Sequence, residues 1–228
     1  MKTIGILKCG AVPEELRDTH GDYETMFTEF LGPEFSYKIF DVENNQLPSA
    51  ATEASGWLIT GSRHGAYESH PWIPPLEQLL RDAYSGSIPI VGVCFGHQIL
   101  AQALGGQVEK FSGGWSVGPV AYKMEGEDKP SIVNAMHQDQ VIEPPADAVT
   151  IGSTDFCKYA VLSYGNKALT IQPHPEFNSN YTRDLVEFRR DQINNPELVD
   201  YALSNSGQSL SQKRWAQQFR QFFSENAV

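Results

Sequence analysis

Two short stretches of this sequence hold residue types that could make and break a covalent bond. In "IPIVGVCFGHQILAQALGG", Ile88 to Gly106, Cys94 stands between Gly92 and Gly96 where an apolar run gives way to a helix-like pattern. A strand–nucleophile–helix turn with small residues two before and two after the nucleophile is a nucleophile elbow. The turn is tight and its backbone strained, so a Cβ at either flanking position would clash with the neighbouring strand or helix. Such a turn lifts the sulfur above the sheet edge at a helix N-terminus, where the dipole and free N–H groups favour thiolate over thiol. Cysteine is also the best side-chain nucleophile near neutral pH. A buried cysteine at a strand end can equally serve packing alone, and the short motif by itself does not separate the two.

A thiolate nucleophile needs a base, and the base needs an orienting acceptor. "ALTIQPHPEF" supplies both: a strand ends at Gln172, and Pro173-His174-Pro175-Glu176 follows. Pro175 keeps the backbone extended and stiff between His174 and Glu176, so Glu176 can fold back on the imidazole. Sites in parallel sheets lie beyond the carboxyl ends of strands, and Cys94 and His174 each follow a strand. His-Pro-Glu alone is more often a turn; beside the elbow it completes a Cys-His-Glu set.

Other reactive side chains fit less well. His64 and His70, in "SRHGAYESHPW", lack a third ligand spaced to join them, while zinc sites want three or four. They read as solvated loop histidines, and no metal is assigned. Cys9 and Cys157 have no partner base and read as packing. Trp115 in "GGWSVG" suits either a pocket wall or a core aromatic at a sheet edge. Glu125, Glu127 and Asp128 form a solvated turn. Gly-rich "FSGGW" lacks the Lys-Ser/Thr and helix of a phosphate loop, so no nucleotide site is assigned.

The elements that must position these residues alternate. "TIGIL", "YKIFDV", "GWLIT" and "IPIVGV" are strands; Tyr23 to Leu31, Trp72 to Tyr84 and Gly96 to Leu104 have helical spacing, the last closed by Gly105-Gly106. Continuous apolar strands alternating with helices predict an α/β fold, a mostly parallel central sheet with helices on both faces. From Val108 to Ile171 the short runs "VGPVAYKM", "SIVNAM", "VTIGST" and "ALTIQ" predict appended antiparallel strands with no long helix. Helices are expected again at Asn180 to Ile193, Pro196 to Leu203 and Ser209 to Phe223. A single domain over 1–228 is expected, with a core at 1–194 and a helical tail at 195–228.

The 228 residues suffice for one buried core. A net charge of −11 would repel a nucleic-acid backbone or an anionic membrane. The first residues, "MKTIGILKCG", are too short an apolar run for a signal peptide, and no segment approaches membrane-spanning length. Three cysteines without framework spacing argue against a disulfide scaffold. A reduced, cytoplasmic protein is expected.

"GVCFGHQILAQALGG" followed by "IQPHPEF" resembles the class I glutamine amidotransferases, and the resemblance runs from Ile4 to about Glu176. Within that group the chain is most similar to free-standing members akin to the glutaminase domain of GMP synthase and to γ-glutamyl peptidases. The resemblance implies a flavodoxin-like architecture, with Cys94 as nucleophile, His174 as general base and acid, and Glu176 as orienting carboxylate. It also implies that Gln98 holds the amino-acid end of the substrate. The oxyanion hole falls on the N–H of Phe95 and that of Ser62, with Gly61 beside it, in a loop reading "TGSRHG" where the family usually has Gly-Gly-Pro. A backbone N–H survives such substitution. In "MHQDQV", backbone atoms at Gln138 and Asp139 would contact bound glutamine.

The implied reaction is hydrolysis of a γ-glutamyl amide, glutamine to glutamate and ammonia, through a γ-glutamyl thioester and without a cofactor. A synthetase subunit could receive the ammonia, since no ATP-binding pattern is seen in the chain. Alternatively the substrate is a γ-glutamyl peptide or glutathione conjugate, or the chain is a catalytically silent binding module on the same fold. An α/β-hydrolase with a cysteine nucleophile, such as a dienelactone hydrolase, would usually place Asp before a late His, unlike the order here.

Overall fold

The computed structural model describes residues 1–227. The chain opens with β1 (Thr3–Lys8), α1 (Glu14–His20), α2 (Tyr23–Leu31), β2 (Ser36–Asp41), β3 (Gly56–Ile59) and α3 (Ile73–Ser85). The elbow joins β4 (Ile90–Val93) to α4 (Phe95–Ala103). Then come β5 (Gln107–Lys110), β6 (Ser116–Met124), β7 (Ser131–His137), β8 (Asp139–Glu143), β9 (Val149–Ser153), β10 (Val161–Ser163) and β11 (Ala168–Ile171). The chain ends in α5 (Ser179–Phe188), α6 (Arg190–Ile193), α7 (Pro196–Ser204) and α8 (Gln212–Asn226).

A nine-stranded sheet runs in the order β2-β1-β3-β4-β11-β10-β9-β6-β7, with β5 and β8 forming a separate antiparallel pair. The first five strands are parallel and the last four antiparallel. The parallel part has the flavodoxin-like order, and the antiparallel part extends it as the sequence predicts. Every residue of β3, β4 and β11 is buried, because helices cover both sides of the sheet. Side chains alternate along each strand. Leu7, Trp57, Ile59 and Ile90 face α3 and α4 through Leu76, Leu80, Ile99 and Leu100. Ile4, Ile6, Leu58, Val91 and Val93 face the opposite way, onto Phe27 and Leu31 of α2 and Trp215, Phe219 and Phe223 of α8. The aromatic stripe of the last helix thus packs on the sheet of its own chain.

The structure departs from the sequence reading in four places. α1, with no buried residue, is too polar to show an apolar period. The strands β5, β8 and β10 are short or half exposed and carry little alternation. The helix expected over Asn180 to Ile193 breaks into α5 and α6 at Arg189. The final helix starts at Gln212 rather than Ser209.

Candidate active site

Three strands of the parallel sheet end side by side at one edge: β3 before Gly61, β4 before Cys94, and β11 before His174. Cys94 has φ 53° and ψ −105°, a left-handed conformation that costs a non-glycine residue of order 1–3 kcal/mol. Its neighbours leave no alternative to glycine. A Cβ on Gly92 would lie 2.5 Å from the Gly96 carbonyl oxygen, and one on Gly96 would lie 2.4 Å from that of Ile59. The helix therefore starts hard against β3, with Phe95 as its first residue. The Phe95 N–H is one of the first-turn donors that a helix cannot pair internally.

His174 is buried and held from several sides. Its N–H donates to the Asn134 carbonyl of β7 at 2.8 Å, and the Asn134 side chain donates to the Phe177 carbonyl at 3.0 Å. The imidazole stacks on Phe177, with centroids 3.9 Å apart and planes 7° apart. Gln212, at the start of α8, donates to the Pro175 carbonyl at 3.1 Å. His174 Nδ1 pairs with Glu176 Oε1 at 2.8 Å, which turns Nε2 toward the thiol side. Glu176 is itself buried. Burial opposes charge on His174, but the carboxylate of Glu176 and the neighbouring Cys94 outweigh it and raise the imidazole pKa above its ordinary value.

Cys94 and His174 converge on Gly61. A Cβ there would sit 2.9 Å from His174 Cε1 and 3.7 Å from Cys94 Cβ. The Gly61 carbonyl accepts from Thr60 Oγ1 at 3.0 Å, and the same hydroxyl accepts from Cys9 N at 3.0 Å. In a planar trans peptide the carbonyl and the following N–H point in opposite directions. The Ser62 N–H is thereby directed away from Thr60, and Ser62 lines the same cavity as Cys94.

That cavity, about 240 Å³, is also lined by Gln98, Trp115, Gln138 and Asp139. Gln98 is buried, with both amide hydrogens in use: Nε2 donates to the Asp139 carbonyl at 2.9 Å and to Gln172 Oε1 at 3.1 Å. Gln138 Nε2 reaches the Phe111 carbonyl at 3.4 Å. The Asp139 carboxylate accepts from Tyr67 Oη at 3.2 Å, and burial raises its pKa. Trp115 packs partly against the cluster around Phe177 as well, so it is both pocket wall and core aromatic. Cys9 and Cys157 are buried, and burial pushes the first thiol well up and the second to about 12.

Several cavity residues lie outside the set that the sequence predicts. Lys110, His137 and Arg189 line it, and neither ring nitrogen of His137 has a hydrogen-bond partner among the described residues. His137 stood in plain view in "MHQDQV"; Lys110 and Arg189 gave no signal, being ordinary surface types brought in by the fold. The reading that no third ligand joins His64 and His70 does not hold. The loop after β3 folds back so that Glu68 Oε2 lies 3.3 Å from His64 Nδ1 and 2.6 Å from His70 Nε2.

A flavodoxin-like sheet with a strained cysteine and a carboxylate-held histidine side by side at its carboxyl edge defines an α/β protein with a strand–cysteine–helix elbow. The family described as "Glutamine amidotransferase class-I" matches residues 33–190, and the chain belongs to that family. A glutamine amidotransferase-like protein of Schizosaccharomyces pombe is 30% identical over 208 residues, 82% of this chain and 84% of that one. "Gamma-glutamyl peptidase 4" of Arabidopsis thaliana is 28% identical, over 76% of this chain and 75% of its own. A crystal structure of a glutamine amidotransferase from Methylobacillus flagellatus superposes with a TM-score of 0.80 at 20% identity, covering 100% of this chain and 96% of that one. Among the described residues no helix is long and apolar enough to cross a membrane.

Proposed function

We propose that the protein hydrolyses a γ-glutamyl amide bond by covalent catalysis at Cys94. The observation that carries this reading is the convergence of the strained Cys94 and the Glu176-held His174 on the bare α-carbon of Gly61. The Cys94 thiolate attacks the γ-carbonyl carbon, and the carbonyl electron pair moves onto oxygen. The oxyanion is stabilised by the N–H groups of Phe95 and Ser62. The C–N bond then breaks as imidazolium His174 gives its Nε2 proton to the departing nitrogen. Water attacks the thioester, His174 takes its proton, and the carboxylate product leaves as the C–S bond breaks. Glu176 keeps the imidazole in one tautomer throughout and offsets its charge. Gln98, Gln138 and Asp139 shape the pocket for the glutamyl end, the last two through backbone atoms.

Glutamine is the simplest substrate, and its ammonia could pass to a synthetase subunit. A γ-glutamyl peptide is favoured by one observation. A second cavity of about 980 Å³ adjoins the first, sharing Arg63, His64, Arg189 and Gln192. It offers room for a leaving group much larger than ammonia, beside the Arg189 guanidinium, which suits a peptide carboxylate. A relative named as a γ-glutamyl peptidase agrees with that reading. A reduced compartment, such as cytoplasm, would keep Cys94 reactive.

The test is a panel of glutamine, γ-glutamyl dipeptides and glutathione conjugates, with ammonia or amine release followed for each. The purified protein should turn over at least one of them at about 1 s⁻¹ or faster. Cys94→Ala and Cys94→Ser should remove activity while leaving the fold intact. A diazo-oxo-norleucine adduct should map to Cys94. An adduct on Cys9 or Cys157 would overturn the site. Activity appearing only with an added synthetase would favour the amidotransferase-subunit reading over the free hydrolase.

A further inference from the structure

The loop between β3 and α3 carries a cluster that this chemistry does not use. His64, Glu68 and His70 each offer one ligand atom, and these atoms all lie within 4.8 Å of one another. One carboxylate oxygen, Glu68 Oε2, is 2.6 Å from His70 Nε2 and 3.3 Å from His64 Nδ1. Around a tetrahedral zinc ion with bonds of about 2.0–2.1 Å, neighbouring ligand atoms stand about 3.4 Å apart. Small side-chain movements therefore suffice to surround an ion.

The surroundings are those of a ligand histidine. His64 Nε2 lies 3.2 Å from Glu43 Oε1 and 3.4 Å from Arg63 Nε; in the metal-bound tautomer Nδ1 gives its lone pair to the ion and the Nε2 N–H donates to the carboxylate, displacing Arg63 Nε from that nitrogen. Metal-bound histidines are commonly oriented this way. Arg63 pairs with the same Glu43 oxygen at 3.0 Å, which neutralises the cation nearest the site. The His70 ring stacks on the buried Trp72, centroids 5.6 Å apart and planes 11° apart, and meets His64 at 4.1 Å. Both rings thus have fixed backing.

We propose that His64, Glu68 and His70 bind one divalent transition-metal ion of the zinc class. Two imidazoles and one carboxylate suit Zn²⁺, Co²⁺ or Ni²⁺, whereas Mg²⁺ and Ca²⁺ favour all-oxygen shells. Three protein ligands leave a position for water. The ion stands where the two cavities meet, since His64 lines both, Glu68 the smaller and His70 the larger. It cross-links the loop that begins with Gly61 and Ser62. The site does not depend on the reaction proposed above.

Binding is measured on tag-free Cys94→Ser protein, so that the thiol at 94 cannot capture the ion. Zn²⁺ is titrated calorimetrically, and Co²⁺ is followed by its visible ligand-field bands. One ion per chain is expected, with Kd about 10 µM or tighter. The His64→Ala and His70→Ala variants should each weaken binding at least tenfold, and Glu43→Gln by a smaller factor through loss of orientation. Zn²⁺ should also raise the melting temperature of the parent and not of the double histidine variant. Equal metal-free melting temperatures confirm that the variants fold; Glu68→Gln, which keeps the side-chain shape, is the substitute if a histidine variant does not. Affinity unchanged by the histidine and Glu68 substitutions, or no uptake below about 1 mM, overturns the site.

Discussion

At the scale of single residues, Gly61 sets the spacing between Cys94 and His174. A methyl group there would meet His174 Cε1 at 2.9 Å, and the imidazole is held by Phe177 and Glu176. Gly61→Ala should therefore displace His174 from Cys94 and lower kcat about a hundredfold, as misplacement by about an ångström commonly does. The melting temperature should fall only slightly, because the contact lies at the sheet edge rather than in the core. Steady-state kinetics beside a thermal melt decides this; an unchanged kcat would mean that His174 is not the base. The convergence of Cys94, His174 and Glu176 was legible in the sequence because strand-end glycines and prolines announce backbone geometry directly. Glu68 was not, because its partners at four residues before and two after depend on how an irregular loop folds back.

At the scale of elements, the antiparallel extension serves the parallel sheet by holding the His174 turn. Asn134 in β7 accepts from the His174 N–H and donates its amide to the Phe177 carbonyl. Asn134→Ala leaves a buried carbonyl without its donor, a loss of about 1–3 kcal/mol, and frees Phe177, against which the imidazole stacks. Urea unfolding should register that destabilisation, and kcat should drop more than KM rises. A stability loss with kinetics intact would reduce β7 to scaffolding. The sequence showed β6, β7, β9 and β11 as apolar runs between turns. Their order did not follow, because β10 is three residues long and the pairing of β6 with both β7 and β9 is set by long-range contacts. The break between α5 and α6 was also hidden, since no proline or glycine marks Arg189.

At the scale of the whole molecule, buried histidines set the response to pH. Burial lowers His97 to about 3, and burial with the nearby His174 lowers His137 to about 3. Both are neutral in the folded chain but take up a proton near pH 6.5 when unfolded. A folded pKa below the unfolded one means full stability above about pH 6.5 and a loss as pH falls toward 3, about 1.4 kcal/mol per pH unit for each group. His174 has the opposite sign. Its raised pKa contributes stability that is complete below about pH 6.5 and is lost as pH rises through the folded value. Stability should peak near pH 6.5. Urea midpoints from pH 5 to 6.5 should climb with pH, and His97→Gln should flatten that slope; equal midpoints across the range would contradict it.

The conformation of Cys94 has a consequence for descent. Its φ of 53° strains any residue that carries a β-carbon, so the molecule gives up stability to keep a sulfur there. Cys94→Gly and Cys94→Ala both lose the thiol, yet only glycine relaxes the backbone. The glycine variant should be the more stable by about 1 kcal/mol, measurable as a higher urea midpoint. Were the proposed reaction no longer needed, selection for folding alone would favour glycine at this position.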